Sequence, residues 1–414
     1  MAKGRFGPVE GAEVEGRWAA TPGEVRVEGL SASSSVGGVE EVAATLAWSQ
    51  GLRLAARGRA RGFDLRPFMG LFVRGWFPVG LRATGPFEAE GPLAPELGLG
   101  FRVDCTVEGL DVTTRPGDTP VYAMPSAGVT AEGVVGKREL TIAAGRIRAG
   151  DTQIQLARGR IAYREGLWFD TDVSFGSLSA AGRWAPAGLA ASGTARGRFG
   201  GPYRNLEFAY EVDAEAGYRG ESLGRVRATL RLDYGGVRFD RLDWTPAWGR
   251  VEASGELGWG DGRGLDLLVR GREIALSGLA RSSRSLGWGA AIPVDGTAEV
   301  EARISGSLRA PEVRGRIEAG GLRVLRFAVD RASVPVRATP EGWEAGPVRA
   351  RAYGGAVTGT VRGGREGFAA SARVEGLKIG PVLADAGVRG PPDVAWGAFQ
   401  GTVSVEGPYR EPRV

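Results

Sequence analysis

Three features of this chain are of a type that could do chemistry. The pairs Asp170/Asp172 and Asp240/Asp243 place carboxyl groups close enough for one to give a proton while the other takes one. The segment "GWGDGRG" (258–264) is as glycine-rich as a phosphate-cradling loop. Cys105 is a potential nucleophile. Each also has a plainer reading. The aspartates lie near strand ends in a chain with 53 Lys and Arg and 48 Asp and Glu, which makes them part of a solvated face. The glycine segment lacks the Lys-Ser/Thr ending of a phosphate loop and no helical pattern follows it, so it reads as a hairpin turn. Cys105 lies in the alternating run "FRVDCTVEG" (101–109), as a small residue facing a core. Without any histidine, and with one cysteine, the chain has no His-based triad, no His- or Cys-cluster metal site and no internal disulfide. The expectation is that the protein is not an enzyme and needs no cofactor.

The elements that carry these residues are strands. Glycine is abundant (69 residues, with 23 Pro), but 43% hydrophobic residues and 11 Trp argue against disorder, and no period of three suggests collagen. An all-β chain with many turns remains, the glycines supplying positive φ. Alternation is clean. Val226, Ala228, Leu230 and Leu232 oppose Arg225, Arg227, Arg231 and Asp233. Val300, Ala302 and Ile304 oppose Glu299, Glu301 and Arg303; Val313 and Ile317 oppose Arg314, Arg316 and Glu318; Phe368, Ala370, Ala372 and Val374 continue the pattern. Period two over such runs predicts half-buried antiparallel strands. With about 10–12 residues per strand and turn, nine or ten strands per repeat are expected. Short helical segments are predicted at 39–48, 66–73 and 380–386. No apolar run approaches the roughly 20 residues that span a bilayer, and the first residues lack the apolar core of a signal peptide.

Three markers recur in one order. The first is a strand ending in Gly, usually followed by Pro and a turn: Gly91 in "FEAEGPLAPEL", Gly201 in "RFGGPYRNLEF", Gly306 in "RISGSLRAPEV" and Gly407 in "VSVEGPYREPRV". The second joins a strand to a short apolar segment at 52–70, 265–282 and 368–387, with a degraded copy near "VSFGSLSAAGRW". The third is a strand pair over a small-residue turn, as in "ELTIAAGRIRAGDTQIQLARGRI", which contains Ile142, Ile154 and Leu156. The division is 1–90 (partial repeat), 91–200, 201–305, 306–406 and 407–414, the start of a further repeat. The chain is therefore expected to be part of a longer protein. So many strands cannot form a flat sheet. The predicted solution is an elongated antiparallel repeat sheet folded into a U-shaped groove, charged face outward and apolar face inward. Small residues dominate the apolar face, leaving two readings open, a packed sandwich core or an open trough. The net charge of +5 comes almost wholly from Arg interleaved with acids, so a solvated face is preferred to nucleic-acid contact.

The stretch 321–387, with its strand over a Gly-Gly turn, its "TGTV" strand and the "GLKIGPVL" segment, together with the "EGPYREPRV" junction, resembles the AsmA-like superfamily, in particular its TamB-like branch. The resemblance implies a hydrophobic interior groove that carries phospholipid between the inner and outer membranes of a diderm bacterium. It implies a periplasmic, envelope location, a membrane anchor in a segment outside this sequence, and a link to an outer-membrane assembly barrel. On this reading the groove is lined by Ile142, Ile154, Leu156, Val226, Leu230, Val300, Ile304, Ile317, Phe368, Ala370 and Val374. The alternatives are a structural β-repeat stalk or adhesin with a packed interior and no lipid, or a polysaccharide-processing β-helix, which the long period disfavours.

Overall fold

The structure, a computed structural model, describes residues 2–407 except 7–8, 71, 74–75, 114–121, 178–187, 259–263, 286–293, 365–366 and 389–396. The chain is all-β and antiparallel, with three short helices. Its described strands fall into four sets of six, each closed by one of the junction glycines. The first holds β1 (Ala2–Phe6), β2 (Val9–Thr21), β3 (Glu24–Ser34), β4 (Gly37–Ala47), β5 (Arg53–Asp64), α1 (Leu65–Met69) and β6 (Val79–Pro92). The second holds β7 (Gly98–Val112), β8 (Tyr122–Gly136), β9 (Glu139–Ala149), β10 (Thr152–Ala162), β11 (Gly166–Phe175) and β12 (Leu189–Pro202). The third holds β13 (Glu207–Tyr218), β14 (Glu221–Asp233), β15 (Gly236–Thr245), β16 (Arg250–Gly258), β17 (Leu265–Ala275), α2 (Leu276–Ser285) and β18 (Val294–Gly306). The fourth holds β19 (Pro311–Val324), β20 (Phe327–Thr339), β21 (Gly342–Ala352), β22 (Gly355–Gly364), β23 (Phe368–Lys378), α3 (Ile379–Asp385) and β24 (Ala398–Gly407).

The junction glycines are one device repeated. Gly91, Gly201, Gly306 and Gly407 have φ of 152°, 138°, 98° and 137°. A Cβ at Gly91, Gly201 or Gly306 would sit 2.2, 2.5 or 2.7 Å from the carbonyl oxygen of Gly98, Asn205 or Ala310 on the returning chain. Only glycine allows both the turn and the approach. A second device precedes each helix by three residues: Gly62, Glu273 and Gly376 adopt φ of 59°, 54° and 67°. Each sits where the ladder to the next strand slips, a bulge that ends the strand and starts the helix. The expected copy near 173–184 falls largely outside the described residues.

Two expectations are corrected. After β1, the strands run from 9 to 15 residues, so each set holds six among the described residues instead of nine or ten. Bulges reset the alternation and make one long strand read as two. The helix predicted at 39–48 is β4. There Glu41 takes φ 55° and shifts the phase, so that Val39 and Val42 fall three apart like one face of a helix. The segments at 66–73 and 380–386 do contain helices, α1 and α3.

The chain forms two compact units, Met1–Ala214 with Arg231–Tyr234, and Glu215–Leu230 with Gly235–Val414. In the first, β1 to β12 each pair with the next. In the second, β15 to β24 do the same. Among the described residues no pairing closes either series into a barrel. Rows of alternating charge fix the register on the polar face. Arg57, Glu88, Arg102 and Glu132 stand opposite one another across β5–β8, and Glu252, Arg270, Glu301 and Arg316 across β16–β19. Such exposed pairs each contribute only about 0.2–1 kcal/mol. A slip of one residue would send every apolar side chain to the charged face.

Candidate functional site

The register joins apolar side chains into rows that cross many strands. In the first unit one row runs Val27, Ala44, Ala56, Ala89, Phe101, Gly133, Ile142, Gly159, Phe169 and Phe199, from β3 to β12. In the second, Ala253, Val269, Ala302, Gly315, Val336, Ala345, Val361, Ala370 and Val405 run from β16 to β24. Large residues lie over small ones. A Cβ on Gly133 would be 2.9 Å from the Phe101 ring, and one on Gly159 would be 2.6 Å from Phe169.

All the predicted groove residues are half-buried members of this apolar face. In the first unit Ile154 stands between Ile147 and Val173, and Leu156 between Gly145 and Thr171. In the second, Val300 faces Ile317 directly, and Ile304 lies between Leu267 and Val313. Phe368, Ala370 and Val374 share one face of β23. Val226 and Leu230 flank the buried Ala228 on β14.

The apolar face is incompletely covered. Among the described residues of the second unit the buried apolar ones are Ile274 and five alanines, Ala228, Ala298, Ala319, Ala332 and Ala352. A sandwich core would bury its Val, Ile and Leu completely; here all those described except Ile274 remain partly open.

The first unit differs because Met69, Val73 and Phe77 bridge its apolar face. Val112 pairs with Tyr122 at the start of β8, whereas Leu140 pairs with Val135 near its end. The two rungs are 13 residues apart (135 − 122), about 43 Å of extended strand. Yet Val112 and Leu140 belong to the same cluster as Met69, Phe77, Ile161 and Leu167. The sheet of this unit therefore coils strongly, and Met69, Val73 and Phe77 lie in the curl. Arg66 pins it. Its guanidinium pairs closely with Asp111, donates to Thr113 Oγ1 at 3.2 Å and to the carbonyls of Phe77 and Pro78 at 3.2 and 3.3 Å, and lies 4.6 Å from the Trp76 ring. Sequence reasoning missed this group. The signal was an arginine inside the apolar run "GFDLRPFMG", but its partners lie up to 47 residues away.

In the second unit α2 is held by Leu276 and Leu279 packed around Ile274, Ala298 and Ala319. α3 buries no residue. Its side-chain tie is Asp385, which accepts a hydrogen bond from the Tyr353 hydroxyl at 2.6 Å. That hydroxyl also accepts one from the Ala328 amide at 2.7 Å.

The groups weighed for catalysis are occupied otherwise. Asp170 and Asp172 pair with Arg198 and Arg196, and Asp240 and Asp243 with Arg238 and Arg241. Burial, and then the charge of Asp104, push the Cys105 thiol up, away from the reactive thiolate. Of "GWGDGRG", 259–263 lie outside the described residues; the flanking β16 and β17 pair as a hairpin, as expected. Trp168 lies against Arg160 at 5.4 Å, Trp248 packs beside the α2 cluster, and Trp343 is exposed on the apolar face; Trp396 lies outside the described residues.

A concave space of about 800 Å³ crosses β3–β9; its lining joins charged-face residues such as Arg57, Glu88, Arg102 and Glu132 to members of the first unit's apolar row, among them Val27, Ala44, Ala56, Ala89, Phe101 and Gly133. It includes none of the predicted groove residues. No helix among the described residues is long and apolar enough to cross a membrane. No family model, curated protein or solved structure matches the chain.

Proposed function

We propose that the chain is a lipid-carrying segment of an envelope protein of the AsmA-like, TamB-like kind. It works in the periplasm between the inner and outer membranes of a diderm bacterium, with a link to outer-membrane assembly. The observation that carries this reading is the pair of in-register apolar rows whose residues stay half exposed. Exposing an acyl chain to water costs about 0.8 kcal/mol per methylene, roughly 12 kcal/mol for a 16-carbon chain. A row of small apolar side chains removes much of that cost and leaves the headgroup at the open edge in water. No catalytic group is needed, and movement is by diffusion or is driven from outside this chain. The test is to purify the chain without detergent, extract it with organic solvent and analyse the extract. The expected result is stoichiometric phospholipid. A chain that emerges lipid-free from a lipid-rich lysate, with its apolar face protected from solvent, favours the packed stalk.

A further inference from the structure

One end of β19–β23 carries three exposed apolar side chains: Leu325 is 61% exposed, Val388 52% and Phe327 36%. Leu325 forms the tip of the β19–β20 hairpin with φ 60°, and Tyr353 the tip of the β21–β22 hairpin with φ 48°. Glycine or asparagine would take these positions without strain. Bulky residues kept at strained tips point to a use for their side chains. The two tips and the end of α3 are neighbours. Arg326 donates to the carbonyl of Ala386 at 3.3 Å, two residues before Val388, and Tyr353 holds Asp385. The Lys378 side chain passes 3.2 Å from where a Cβ on Gly354 would be. Within two residues of the tips, and from Lys378 to Val388 along α3, the charges are Arg323, Arg326, Arg351 and Lys378 against Asp385. Exposed apolar side chains set among four cations and one carboxylate have the character of an interfacial anchor.

We propose that this rim of the second unit docks on an anionic bilayer surface, Leu325, Phe327 and Val388 entering the headgroup boundary while Arg326 and Lys378 meet lipid phosphates. The docking does not depend on the apolar face carrying lipid, because vesicle binding reads the rim and solvent extraction reads the face. The experiment is flotation of the full chain with vesicles of phosphatidylcholine alone, or with phosphatidylglycerol added. The chain should float with the anionic vesicles at low salt and much less with the neutral ones. Lys378→Gln and Arg326→Gln should each weaken binding by about fivefold. Leu325→Gly removes the inserting side chain and relaxes its backbone, so it should weaken flotation without lowering the melting temperature. Equal binding to both vesicle types, or Leu325→Gly and Lys378→Gln variants that float like the parent, overturns the proposal. So does a concentration-dependent self-association that Leu325→Gly abolishes in a chain that binds no vesicles.

Discussion

α1 and α3 occupy equivalent places in their repeats, each after a strand that ends in a positive-φ bulge, yet they are held in opposite ways. The α1 segment is sealed by Met69, Val73 and Phe77 and pinned by Arg66. α3 buries nothing and is tied by polar contacts, the Tyr353 hydroxyl on Asp385 and Arg326 on the Ala386 carbonyl. One repeat geometry thus serves two ends: a fixed bridge across a coiled sheet in the first unit, and a lightly tied flap beside an open apolar face in the second. The lesson is that the repeat dictates where a helix sits, while the apolar side chains it presents decide whether that part of the face is closed.

The largest effect should come from Phe77, which is 2% exposed. Phe77→Ala should destabilise the first unit by about 3–5 kcal/mol, whereas Leu383→Ala in α3 should cost less than about 1 kcal/mol. Urea denaturation followed by a probe in each unit checks this, and equal costs would erase the contrast. Next is Arg66→Met, which leaves Asp111 without its partner and should cost about 1.5–3 kcal/mol in the first unit. Arg66→Lys should recover only part, because an ammonium cannot reach the fork of oxygens that the guanidinium does. Tyr353→Phe comes third. It should cost about 0.5–1.5 kcal/mol, and hydrogen exchange should show faster exchange confined to α3 and the start of β20. Unchanged α3 amides would mean that the hydroxyl is not the tie.

The smallest effect belongs to the charge rows. Hydrogen bonds from Arg303 hold the Asp266 carboxyl below the usual carboxylate range. A carboxyl depressed on folding stabilises above its unfolded pKa, and the contribution is lost as pH falls through the folded one. The parent should therefore lose stability in acid, below about pH 4, more steeply than Asp266→Asn. Near neutral pH the two should differ little, since the pair is exposed. Parallel acid titrations of the two would show it.

The sequence showed the sheet well and the bridge not at all. Alternation such as Val300–Ala302–Ile304 against Glu299–Glu301–Arg303 reports directly which face is apolar, because a strand has an exact period of two. The junction glycines were legible because close backbone approach allows no substitute. Strand length was not, because one positive-φ residue such as Glu41 turns alternation into a helix-like step. Arg66 was invisible because its meaning lies in Asp111 and Thr113 on a distant strand. Tyr353 was invisible because a tyrosine at a hairpin tip gives no sign of the partners its hydroxyl will find. Alternation alone assigned the eleven candidate residues to the apolar, half-buried side of their strands, but whether that side is covered depends on which helix lies beside it.

The central claim is that the half-exposed rows of the second unit hold acyl chain. A photo-crosslinking residue at Ile304, or in a second preparation at Ala370, irradiated in cells and analysed by mass spectrometry, addresses it directly. The account predicts phospholipid adducts at both positions. Crosslinks only to other residues of this chain at both positions would contradict it.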